Sequence, residues 1–244
     1  MDQAIPRPPS SFPEQHPGPP QQNPKILGVT LDPLFTFAPH VASTAARASS
    51  SLQILKVLAG TNWGKDKRTI LLTYDALIKP IITYAAPIWF PRASQSSINR
   101  LQVIQNKALR IASGSVLKAD ITHIHTECKM LPIREHLSML CKQFLASALR
   151  PTHPSHSLVT CDPSPRASSR IPLLQSSFLA DVSPYLEQDN TIDPANYKSI
   201  IRSIHTSSVQ HYIANRPPNK VLQAQPPEIS PSESQLPRPF CSTL

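Results

Sequence analysis

Apolar residues recur every three or four positions from Phe37 to Leu149, the spacing of buried helix faces. Phe37, Val41, Ala45, Ala48, Leu52, Leu55 and Leu58 form a first stripe, with Gly60 where a left-handed residue commonly closes a helix. Ile70, Tyr74, Leu77 and Ile81 predict a second helix, which Pro80 should kink or restart because it removes a donor and clashes one turn back. Ile82, Ala85 and Trp89 extend that apolar face to Pro91. The third stripe, Ile98, Leu101, Ile104, Ala108 and Ile111, has Ser94 or Ser96 as a cap and Gly114 as its stop. Asp120–Lys129 allows a short fourth helix. Pro132 opens a fifth, whose buried side is Ile133, Leu137, Leu140, Cys141, Phe144, Leu145 and Ala148. Before all of these, Ile26 to Leu31 reads as one short β-strand between Pro24 and Asp32-Pro33, with Gly28 where another backbone or a ligand comes close.

The pattern is lost at both ends. Of 28 prolines, 8 lie in residues 1–24, 6 in 25–150 and 14 in 151–244. Residues 1–24 predict a disordered Pro/Gln-rich leader, too poor in apolar side chains to offset the entropy of ordering. Residues 151–193 predict a Ser/Pro-rich linker and 216–244 a Pro-rich tail. Between them, residues 194–215 carry Tyr197, Ile200, Ile201, Ile204, Val209, Tyr212 and Ile213, which suit one isolated amphipathic helix. The expected fold class is therefore mainly α: a small helical bundle over 25–150, preceded by one short β-strand, with disordered Pro-rich ends.

Charge follows the same division. Residues 25–150 hold 16 Lys and Arg against 6 Asp and Glu, whereas 151–244 hold 7 of each. Solvated faces usually mix signs, so this excess suits a phosphate backbone. Trp63, Lys65, Lys67, Arg68, Arg100, Lys107 and Arg110 are the candidate nucleic-acid-binding residues. Four scattered cysteines exclude a disulfide scaffold. The apolar run Leu77–Phe90 contains Lys79, Pro80 and Pro87 and is too short to span a membrane. Intracellular localisation, nuclear or cytoplasmic, is expected. His123, His125 and Cys128 lack the paired ligand spacing of a zinc site, and a structural or surface role is expected for them. Asp32, Asp66, Asp75, Asp120, Glu127 and Glu135 are separated from one another, so no carboxylate cluster suggests a two-metal phosphoryl-transfer centre. No catalytic residue, metal ligand or cofactor is assigned.

Five strings occur in order: Ile26-Leu-Gly-Val-Thr-Leu-Asp32, Ala59-Gly-Thr-Asn-Trp-Gly64, Leu72-Thr-Tyr-Asp-Ala-Leu-Ile-Lys-Pro80, Tyr84-Ala-Ala-Pro-Ile-Trp89 and Leu101-Gln-Val-Ile-Gln-Asn-Lys-Ala-Leu-Arg-Ile111. Together they resemble the reverse transcriptases of non-LTR (LINE-type, jockey-like) retrotransposons, in the region after the polymerase active site. The resemblance implies that Leu27, Gly28 and Val29 lie on the strand closing the palm near the primer grip. It implies that the helices after them form a thumb that holds the primer–template duplex, and that residues 216–244 correspond to a connector. Asp32 matches a strand-end aspartate rather than a metal ligand. The family's aspartate-pair signature, expected before Ile26, does not occur there.

The resemblance thus implies a thumb-and-connector piece of an RNA-directed DNA polymerase, inactive alone. Magnesium would belong to the full-length enzyme. The implied partners are an RNA/DNA primer–template duplex and the missing palm and fingers, with no membrane. Two other readings stay open: a helical protein-interaction module with Pro-rich arms, and an element remnant without selected function.

Overall fold

A computed structural model describes residues 23–60, 65–116, 118–160, 177–187 and 191–216. Trp63, most of the leader, the middle of the expected linker and the tail beyond Arg216 lie outside the described residues. Among those described, the fold is mainly α, as the apolar spacing predicts.

The single strand expected at Ile26–Leu31 is instead a tight hairpin, β1 (Lys25–Ile26) against β2 (Val29–Thr30), with Ile26 opposite Val29. Leu27 and Gly28 form its two-residue turn with φ of 45° and 84°, the positive pair that such turns require. Val29 is buried and Leu27 is exposed, so the hairpin anchors by alternate residues. Asp32 then stops the chain. Its carboxylate accepts from the Thr36 and Phe37 N–H groups at 3.0 and 2.7 Å and from the Thr36 hydroxyl at 2.8 Å. Burial alone would push its pKa up, but these hydrogen bonds prevail and hold it below the usual carboxylate range.

Helix α1 (Ala38–Leu58) buries Val41, Ala48, Leu52 and Leu55 along α5 (Gln95–Ser113). Between them, α2 (Lys67–Thr73) runs through a wide π-helical turn, Tyr74–Ile78, into α3 (Lys79–Thr83). That turn is the structural answer to Pro80, because the wider ring accommodates the proline without ending the helix. It also corrects the expected stripe. The extra residue advances the buried face, so Ile78 is buried where Leu77 was predicted, while Ile82 is buried and Ile81 half-buried against the core, as expected.

Next, α4 (Ala86–Trp89) starts after Ala85 in the left-handed region. Trp89 is fully buried and its indole N–H donates to the Tyr84 carbonyl at 2.8 Å. Ser94 caps α5 by accepting from Ser97 N–H, and Gly114, at φ 65°, closes it. After α6 (Ile121–Glu127) comes α7 (Ile133–Ala148), which buries Ile133, Leu137, Cys141 and Leu145. Phe144, expected inside, lies at the surface edge-on to His153.

The region 151–193 is more than a linker. Short helices α8 (His156–Thr160) and α9 (Ser177–Val182) form within it. Phe178, Val182 and Ile192 join the main core. Helix α10 (Tyr197–Asn215) is not isolated, because it lies on α7 through Ile200 and Ile204. The Arg150 guanidinium sits 4.0 Å over the Tyr197 ring and clamps its first turn. No helix among the described residues is long and apolar enough to cross a membrane.

Candidate nucleic-acid interface

The first turn of α2 is fixed by Asp66, which accepts from Thr69 N–H at 3.2 Å and from the Thr69 hydroxyl at 2.6 Å. This cap places Lys67 and Arg68 beside the turn after α6, where Lys129 adopts φ 52°. A groove of about 530 Å³ results, lined by Lys67, Arg68, Lys79, Lys129, Leu71 and Met130 among others. Its two carboxylates are already matched. Lys67 pairs with Glu127, and Lys79 pairs with Asp75 at 3.1 Å. Arg68 and Lys129 have no ion-pair partner among the described residues, so the groove keeps a positive surplus. Burial pushes the Cys128 thiol at its edge upward, which leaves it protonated and unreactive.

The other sequence-predicted residues do not converge on this groove. Lys65 is exposed just before α2, and Arg100 and Lys107 are exposed on α5. Arg110 is half-buried and donates to the Ala119 carbonyl at 3.4 Å, so it is committed to the fold. Leu27 and Gly28 are turn residues, and Val29 is core. Gly28 packs under Tyr84, where an added Cβ would lie 3.2 Å from the ring, while the Tyr84 hydroxyl donates to the Leu27 carbonyl at 2.7 Å. At Gly28 the close approach is thus made by a side chain of the same chain, where a backbone or a ligand was expected.

A polar seam between α5, α6 and α7 was not anticipated. Gln102 accepts from the Ile133 N–H at 2.8 Å and donates to Asn106 at 2.7 Å and Gln105 at 2.9 Å. Gln105 in turn donates to the Leu131 carbonyl at 2.9 Å. His125 is buried, with Nδ1 3.0 Å from the Met130 carbonyl and Nε2 3.1 Å from Asn106 Oδ1. Burial, followed by the charge of Arg110, keeps its pKa below the ordinary histidine value. The signal was present: Gln95, Asn99, Gln102 and Asn106 are spaced by four, three and four, a second stripe about 120° around α5 from Arg100 and Lys107.

Comparison with known proteins finds relatives that share part of this chain. "Probable RNA-directed DNA polymerase from transposon BS" of Drosophila melanogaster is 32% identical over 114 residues, 47% of this chain. The corresponding protein of transposon X-element, from the same organism, is 27% identical over 161 residues, 62% of this chain. A 115 kDa protein in its type-1 retrotransposable element R1DM is 29% identical over 76 residues. The chain is thus similar to non-LTR retrotransposon proteins, two of them RNA-directed DNA polymerases by name. The chain spans 12%, 18% and 7% of the lengths of these three relatives. No family model matches the chain, and no solved structure matches it.

Proposed function

We propose that residues 25–150 act as the thumb-like part of a reverse transcriptase, holding an RNA/DNA primer–template duplex while the catalytic carboxylates and their magnesium are supplied elsewhere in the polymerase. The observation that carries this reading is the uncompensated charge of Arg68 and Lys129 in the groove beside α2, within a block where basic residues outnumber acidic ones 16 to 6. A groove with fixed cations and an apolar floor suits phosphate oxygens on its rim and sugars against Leu71 and Met130. Arg100, Lys107 and Lys65 add exposed charge for longer-range attraction. The exposed apolar residues Leu27, Leu34, Phe35 and Ile88 suit contact with the palm and fingers of such an enzyme. A nuclear or cytoplasmic location accompanies this reading.

The test is equilibrium binding of the purified chain to an RNA/DNA hybrid at increasing salt. A linear fall of log K with log salt is expected, because each phosphate contact releases counterions. Nucleotide incorporation by the chain alone is expected to be absent. Its detection would overturn the assignment of the chemistry to other parts of the polymerase.

A further inference from the structure

The polar seam opens to solvent. A pocket of about 460 Å³ lies between α5, α6, the start of α7 and the end of α10. Its walls include Asn99, Gln102, Asn106, Arg134, Tyr212 and Arg216, and Ile98, Ile121 and Pro132 add apolar surface. This is within the size range of small-ligand sites, and its lining mixes a few convergent polar groups with apolar floor.

The wall amides are held by their neighbours in the lining. Gln95 donates to Asn99 Oδ1 at 2.7 Å and accepts from Arg134, and Gln102 donates to Asn106 Oδ1. The NH₂ groups of Asn99 and Asn106 therefore have no partner among the described residues, while their oxygens are engaged. Tyr212 is half-buried, and burial raises its pKa, so its phenol stays a neutral donor beside a ring face. Glu135 supplies an acceptor at the pocket edge. The exposed guanidiniums of Arg134 and Arg216 stand at the mouth, and Arg216 is steadied by donating to the Thr126 hydroxyl at 3.0 Å.

A ligand matching these walls is planar, has ring acceptors for two amide NH₂ groups and an amino group for Glu135, stacks on an aromatic ring, and is joined to a negative charge. We infer that the pocket takes the base of an unpaired purine nucleotide, its phosphate on Arg134 or Arg216. Side-chain amides suit purine edges, and unstacked bases are commonly read by such edges together with aromatic stacking. This deepens the nucleic-acid reading by assigning a separate subsite for a base outside the duplex.

Saturation-transfer NMR of the full chain with AMP tests the pocket without any duplex. Saturation of the adenine protons is expected, with a several-fold loss in Asn99→Leu and in Tyr212→Leu while circular dichroism is unchanged. Asn99 is exposed, so that variant should fold. Absence of saturation, or equal saturation in both variants, would overturn the subsite. Hybrid-duplex binding is measured in parallel. Its failure with AMP binding intact would remove the duplex-holding function and leave the pocket standing, whereas duplex binding without AMP binding would remove the pocket alone.

Discussion

Two regions of the molecule are built from opposite materials. In one, the hairpin, Tyr84 and α4 meet through fully buried Trp89, ring contacts to His40 and Phe90, and a tyrosine hydroxyl on a turn carbonyl. In the other, α5, α6 and α7 are joined by Gln102, Gln105, Asn106 and His125, whose hydrogen bonds replace apolar contact. Apolar burial is non-directional and yields mainly cohesion. A satisfied amide network gives less net stability but fixes positions, since each member is costly to leave unpaired. One region therefore holds the fold together. The other leaves oriented polar groups facing an open pocket.

The largest expected effect falls on the apolar region. Trp89→Ala removes a fully buried ring together with the hydrogen bond that pins the Tyr84–Ala85 turn. A loss of about 4 kcal/mol is expected in urea unfolding, and a loss below about 1 kcal/mol would show that this region is not the anchor.

Protonation probes both regions together. His40 and His125 titrate below the ordinary value of 6.5, each chiefly through burial. His136 is pushed down to about 4 by burial, then by Lys79, with Asp75 opposing and His205 adding to the shift. On acidification the unfolded chain takes up these protons first, so stability present above pH 6.5 falls as the pH drops toward 4. His136 alone accounts for on the order of 3 kcal/mol. Urea midpoints across this range should decline and should flatten in His136→Gln. An unchanged slope in that variant would reject the assignment.

Gln102→Leu tests the polar seam. The Ile133 N–H loses its acceptor, and Gln105 and Asn106 lose a donor. A cost of about 2 kcal/mol is expected, in line with an orphaned backbone donor. A neutral outcome would show that the seam is replaceable by apolar packing. The smallest effect is expected at Gly28→Ala, about 1 kcal/mol for a Cβ at positive φ, provided the Tyr84 ring shifts slightly to admit it.

Much of this architecture was legible because apolar spacing reports buried faces directly. The α5 stripe and its caps at Ser94 and Gly114 follow from local chemistry alone. Where the prediction missed, a longer-range or irregular feature decided the outcome. The π turn displaced the face from Leu77 to Ile78, and Tyr84, 57 residues away, seated the Leu27–Gly28 turn. The 151–193 region looked like linker because Phe178 and Val182, one turn apart on short α9, and Ile192 beyond it are too few to show a period. Within the candidate interface, Lys67 and Arg68 were visible as charges, but Lys129 joined them only through the fold. Arg110 looked free until its contact with the Ala119 carbonyl was placed.

Charge reversal in the groove tests the central claim most directly. Hybrid-duplex affinity and its salt dependence are compared for the unaltered chain, Arg68→Glu/Lys129→Glu and Arg100→Glu/Lys107→Glu. If the groove holds the duplex, the groove pair weakens binding by more than about tenfold and lowers the salt slope by about 2, while the α5 pair has a smaller effect. Equal affinity and an unchanged slope in the groove pair would contradict the account.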